Sequence, residues 1–222
     1  MNWRSWLGLQ PSETVFDEYK RAFDTTWASS TPIEAVRFAV LDTETSGLNA
    51  SKDNILSIAA IGVSHGAIQF RDSFHAWVKH SLVTQSVQIH MITPATAETG
   101  YAPEEAIEKF AIWLQDAVLV GHHIAFDSAI LSHTLHRHKG CSLQNKSIDT
   151  ALLAIRLLEP PHNREHLQPS DYSLSKLAGK LKIPVFEQHT AAGDALTTAL
   201  VFLKLFTMAK ARGIHTLGDL CK

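Results

Sequence analysis

The order of the apolar runs constrains this chain more than any other feature. Three strand-length runs come in succession, at residues 38–41, 55–63 and 67–78, and Ser64-His65-Gly66 suits a hairpin turn between the last two. After Gly100 the period changes. Pro103 sits at a first helical position with Glu104 and Glu105 in the first turn, and Ile107, Phe110, Ala111 and Leu114 form one apolar face. Residues 117–121 read as a buried strand, 126–138 as a helix, and 147–149 as a short strand before a helix over 150–158. Residues 159–171 contain Pro160, Pro161 and Pro169 and read as a loop, followed by a short helix over 173–181 and a long apolar one over 191–211. Three strands and then alternating helices and strands predict an α/β domain with a mixed central sheet flanked by helices.

Residues 1–35 read differently from the rest. Val15, Phe16, Tyr19, Phe23 and Trp27 recur at helical spacing and give way to the polar stretch 29–32, so a helical N-terminal extension is expected ahead of a domain over 36–222. Its aromatic stripe is expected to pack on the domain, because apolar helix faces usually go to a core; the alternative is a face offered to a protein partner. A hydrophobic content of 45% over 222 residues excludes disorder and suits one substantial core. The formal charge of −2 excludes a broad basic field, so a nucleic acid would have to be gripped locally, with help from metal. Cys141 and Cys221 lie far apart with no CxxC spacing, which argues against a disulfide framework or thiolate zinc site and fits a reducing cytoplasm. No uninterrupted apolar run reaches the ~18 residues of a membrane span, and no membrane insertion is expected.

Three clusters carry chemistry. In Leu41-Asp42-Thr43-Glu44-Thr45-Ser46-Gly47-Leu48 the two-residue strand period puts Asp42 and Glu44 on one side of the chain as the hydrophobic run ends. Two such carboxylates repel unless a cation sits between them; the plainer alternative is a solvated strand end with a turn after it. Gly121-His122-His123-Ile124-Ala125-Phe126-Asp127 leads from a strand into a helix, where Asp127 taken alone is an N-cap or first-turn acid. His189-Thr190-Ala191-Ala192-Gly193-Asp194-Ala195 opens the last helix, where His189 alone is a loop histidine and Asp194 a first-turn acid.

DTETSGL, GHHIAFD and HTAAGDA, in this order, resemble the three exonuclease motifs of the DnaQ-like DEDDh family, which includes the proofreading epsilon subunit of bacterial DNA polymerase III. The resemblance covers roughly residues 36–210. It implies a ribonuclease-H-like fold in which Asp42, Glu44, Asp127 and Asp194 surround two Mg2+ ions, with Mn2+ able to substitute, and His189 is the general base. The implied activity is 3′-to-5′ removal of nucleoside 5′-monophosphates from a single-stranded nucleic-acid end, DNA ahead of RNA. The alternatives are an exoribonuclease with the same site and a catalytically silent binding module. By the same resemblance Thr43, Thr45, Ser46, Gly47, Leu48, His90, His123 and Phe126 are the expected substrate contacts, with Ile89-His90-Met91-Ile92-Thr93 similar to an IHGIT-type segment of the family. His123 stands where many relatives carry Asn. The pair His122-His123 suggests a transition metal, but the carboxylates are hard oxygen donors and suit magnesium or manganese better. Lys176, Lys180 and Lys182, and the run Arg137-His138-Lys139, are expected to be solvated faces rather than strand contacts. Residues 211–222 contain no recognisable polymerase or sliding-clamp peptide.

Overall fold

The structure is a computed structural model that describes residues 15–24, 26–80 and 98–222, and the segment around His90 lies outside them. Strands β1 (Phe38–Thr45), β2 (Ile55–Ser64), β3 (Ala67–Trp77), β4 (Val118–Gly121) and β5 (Ser147–Asp149) form one sheet in the order β3-β2-β1-β4-β5. β1 pairs antiparallel with β2 from Phe38↔Val63 to Thr45↔Ile55, and β2 pairs antiparallel with β3. β4 joins β1 in parallel, and β5 joins β4 in parallel, so the sheet is mixed as expected. The β2–β3 hairpin turns at His65 and Gly66, whose φ values of 52° and 71° are the two left-handed residues that match strand twist in a tight hairpin.

Helices cover both faces. α1 (Val15–Arg21), α2 (Pro103–Leu114) and α3 (Ala125–Lys139) lie on one; α4 (Thr150–Leu158), α6 (Leu174–Leu181) and α7 (Ala191–Ala211) lie on the other. The alternation of β1 sorts its side chains between them: Phe38 and Val40 join the α7 core, Ala39 and Leu41 the α2–α3 core. Phe202 and Phe206 of α7 meet Phe38 edge-on, with ring centroids 5.0 and 6.0 Å away. Each of these rings contributes roughly 2–3 kcal/mol of burial. By length and composition α7 would cross a bilayer, yet it is a core helix whose Val201, Phe202, Leu205 and Phe206 are buried against the sheet and α4.

The N-terminal stripe packs on the domain. Phe16 and Tyr19 are buried in the α2–α3 core, and the Tyr19 hydroxyl donates to Asn145 Oδ1 (2.6 Å) and accepts from the Gln144 N–H (3.1 Å). Trp27 Nε1 donates to the Asp116 carbonyl at 3.0 Å, and the Thr31 carbonyl accepts from Leu217 N–H at 2.9 Å.

Several details depart from expectation. β1 runs to Thr45 rather than ending with its apolar run, because β2 continues to pair with it. The stretch 159–171 contains a short helix α5 (Pro161–Arg164) and a 3-10 turn (Pro169–Asp171), and a last short helix α8 (Leu217–Leu220) is capped by Thr216. Glu159 ties this stretch to α6 by accepting from Lys180 Nζ (2.7 Å) and from the Tyr172 hydroxyl. Lys180 is therefore ion-paired rather than simply solvated.

Candidate active site

Because even-numbered residues of β1 face α7, Asp42 and Glu44 emerge on the face where Asp194 opens that helix. One oxygen of each of these three carboxylates lies within 4.8 Å of the others. Thr43, one residue out of phase, faces α3 instead. β4 ends at Gly121 while β1 runs on, so the Thr43 N–H has no strand partner on that side. Asp127, in the first turn of α3, supplies one: its Oδ1 accepts from the Thr43 N–H (3.0 Å) and hydroxyl (2.7 Å). Asp127 thus stands beside the three-carboxylate group, held from the opposite face of the sheet.

The electrostatics of this cluster follow from burial. Asp42 is held well above the usual carboxylate range by desolvation and then by the charges of Asp127, Glu44 and Asp194. Glu44 is raised to about 7 by burial, then by Asp194 and Asp127. Burial raises Asp127 to about 6 against the lowering effect of the two Thr43 hydrogen bonds. Burial also raises Asp194, offset by the backbone N–H and ring of His189. Four crowded carboxyl groups fit a hard divalent cation by donor chemistry.

His189 precedes α7 with a left-handed backbone, φ 63°, and its N–H donates to Asp194 Oδ2 at 3.1 Å; its side chain is exposed. Thr190 caps the helix, accepting from the Gly193 N–H (3.1 Å) and donating to the Glu187 carbonyl (2.8 Å). Gly193 is needed because a Cβ there would fall 2.4 Å from the Glu187 carbonyl oxygen and 2.7 Å from that of Phe186. This close approach sets His189 beside Asp194.

The loop after β1 is organised by Asp53. Its Oδ1 accepts from the Ser46 hydroxyl (2.8 Å), its Oδ2 from the Asn49 N–H (2.8 Å), and a Cβ at Gly47 would lie 2.6 Å from this carboxylate. Thr45 donates to the Gly47 carbonyl (2.8 Å). The hydroxyls of Thr43, Thr45 and Ser46 are thus engaged within the protein, whereas Leu48 is 92% exposed at the tip of the loop. Phe126 is partly buried on the α2–α3 core.

The two adjacent histidines do different things. His122 Nε2 is 2.6 Å from the Tyr172 carbonyl, an obligate acceptor, so Nε2 carries the proton and Nδ1 accepts from Thr150 Oγ1 at 2.9 Å. Burial, then His123, lowers its pKa to about 4. Both ring nitrogens are committed, which leaves none for a transition metal. His123 has φ 60°, and its N–H donates to Asp149 Oδ1 at 3.3 Å. Asn and His are among the few residues that tolerate this left-handed backbone, so their interchange here has a conformational basis. Sequence reasoning assigned no holding role to Asp53, Asp149, Thr150 or Tyr172, which fix these loops; Asp149 carried a signal as an acid directly before a helix.

A model of the RNase T family, described as exonuclease, matches residues 39–202. The chain belongs to this exonuclease family. With that, the expectation of a DnaQ-type 3′-to-5′ exonuclease stands. Among relatives, a PolC-type DNA polymerase III of Thermotoga maritima is 33% identical over 187 residues, covering 83% of this chain and 13% of that protein. A DNA polymerase III subunit epsilon-like protein of Rhodobacter capsulatus is 33% identical over 199 residues, 86% of this chain and 26% of that protein. The chain therefore spans only an eighth to a quarter of these relatives. Two solved nuclease structures share the fold. E. coli Exonuclease I in complex with a dT13 oligonucleotide superposes with TM-score 0.65 at 19% identity, over 80% of this chain and 42% of that one. Cell-death related nuclease 4 superposes with TM-score 0.61 at 17% identity, over 79% and 65%.

Proposed function

We propose that this domain removes nucleoside 5′-monophosphates one at a time from the 3′ end of single-stranded DNA, with two magnesium ions held by Asp42, Glu44, Asp127 and Asp194. The observation that carries this reading is the convergence of Asp42, Glu44 and Asp194 to within 4.8 Å in a buried setting that raises the pKa of each. The polymerase III names of the relatives favour DNA over RNA. When bound, the divalent ions supply charge neutralisation for the attacked phosphate, activation of the water and help for the leaving 3′ oxygen.

The chain's own residues do the rest. Thr43 fixes the carboxylate of Asp127 toward Asp42. The His189 imidazole, exposed beside Asp194, accepts the proton of the attacking water, a general-base role that imidazole serves through its ring nitrogens. Leu48 offers an apolar surface on which any terminal base stacks, which suits an enzyme that accepts every base.

The test is release of mononucleotides from 3′-labelled and 5′-labelled DNA and RNA oligonucleotides with magnesium, manganese or chelator. Stepwise, metal-dependent loss from the 3′ end, faster on DNA and abolished by Asp42→Ala, is expected. His189→Ala is expected to lose about 100-fold or more in turnover while still binding magnesium by calorimetry. Undiminished turnover in that variant would remove the proposed base, and release from the 5′ end would overturn the polarity.

A further inference from the structure

The register of the sheet brings an aromatic pair up to the carboxylates. Asp42 lies opposite Ala59 of β2, which lies opposite His75 of β3; Glu44 lies opposite Ser57, which lies opposite Trp77. Residues paired across antiparallel strands point to one face, so His75 and Trp77 stand on the face of Asp42 and Glu44. Two contacts agree with this. His75 Nε2 lies 3.4 Å from Ser57 Oγ, and the His75 and Trp77 rings meet edge-on with centroids 4.9 Å apart.

α7 covers the first of these rows and not the second. The helix begins at Ala191, and Ala191 and Ala195 pack on Ala59. The row of Glu44, Ser57 and Trp77 is one pair further along β1, beyond the start of the helix. Ser57 is buried there, His75 is exposed, and Trp77 is partly exposed with Leu56 packed against it. The indole is thus supported from below by Leu56 and steadied at its edge by His75. Two strand spacings of about 4.8 Å separate the backbones of Glu44 and Trp77, a span that one nucleoside bridges from a phosphate held at the carboxylates.

The phosphates are poor handles for this chain. Its net charge is −2 and its site is built of carboxyl groups, so affinity for the strand on either side of the metals has to draw on uncharged contacts. Stacking of a base on an aromatic ring is such a contact, and it accepts every base because each has a π-face. We propose that Trp77, steadied by His75, is the stacking platform for the penultimate base of the strand, across the scissile bond from the terminal base that Leu48 takes. This rests on the exonuclease reading and deepens it: the strand is held by one base on each side of the bond to be cut.

Trp77→Leu keeps an apolar group on Leu56 and removes the aromatic face, and Trp77→Phe keeps a ring. Steady-state kinetics with magnesium are measured on a single-stranded DNA of about twelve nucleotides, and on the same strand with an abasic residue at the penultimate or, separately, the terminal position. In the wild type the penultimate abasic residue is expected to raise KM about tenfold and to change kcat much less. Trp77→Leu is expected to show that raised KM on the intact strand already, with little further rise when the penultimate base is removed, and Trp77→Phe to recover most of the difference. His75→Ala, at an exposed position, is expected to lose part of the same discrimination, which keeps the proposal testable if Trp77→Leu does not fold. A Trp77 that only supports the sheet would leave the ratio of abasic to intact KM as in the wild type, and that result would overturn the platform. A wild type indifferent to the penultimate base would overturn it too, as would discrimination lost at the terminal position instead. Failure of the wild type to cleave any of these strands would overturn the exonuclease reading itself.

Discussion

Thr43 serves Asp127 through two donors at once, its N–H and its hydroxyl. A hydrogen bond to a charged acceptor contributes about 1.5–3 kcal/mol, so the hydroxyl alone holds Asp127 in its ionised, metal-ready form with an energy worth a factor of ten or more in rate. Thr43→Val keeps the shape and removes that donor. Turnover is expected to fall about tenfold, with a higher magnesium requirement, and Thr43→Ser is expected to recover most of it; a Val variant as active as wild type would show that Asp127 needs no such support. Asp42 and Glu44 were legible in the sequence because a two-residue period is a property of the strand itself. The link from Thr43 to Asp127 was not, because it depends on β4 stopping at Gly121 and on where α3 then begins, which no local pattern records.

At the scale of elements, the start of α7 is the part most exposed to small changes. Gly193 lets the carbonyls of Phe186 and Glu187 lie on the first turn of the helix, and this contact sets His189 beside Asp194. Gly193→Ala places a methyl group 2.4 Å from the Glu187 oxygen, so segment 186–189 must move off the helix by a large fraction of an ångström. Misplacement on that scale costs roughly 100-fold in rate, while α7 itself, buried along most of its length, should keep its far-ultraviolet circular dichroism. Turnover close to wild type with an unchanged spectrum would mean that the approach is not what positions the site. Elements with a strong period were readable beforehand, α7 and α2 above all. β1 was read too short because pairing with β2 and not its own hydrophobicity decides where it ends. α8 was missed because four residues are too few to display a helical period.

At the scale of the molecule, the cluster couples stability to pH and to metal. Glu44 and Asp127 are raised to about 7 and about 6 in the folded protein, from 4.5 and 3.8 when unperturbed. Between those limits the folded chain keeps protons that the unfolded chain has released, so the stability contributed by this cluster is present below about pH 4 and is lost as pH rises through about 7. Surface acids such as Glu34 and Asp219, whose pKa values are lowered by Lys210 and Lys222, act in the opposite sense at low pH. They cancel when the same protein is compared with and without metal. A divalent cation displaces the cluster's protons, and its stabilisation therefore grows as those protons leave: the gap in melting temperature between saturating magnesium and chelator should widen steadily from about pH 5 to about pH 8. With magnesium at about 100 times its Kd the stabilisation is about 2.7 kcal/mol, or several degrees for a chain of this size. Asp42→Asn, which removes one of the carboxylates, should shrink that gap and flatten its dependence on pH. A gap of constant size in the wild-type protein across this range would mean that the four carboxyl groups are already ionised without metal, and that their burial is offset by something other than a cation.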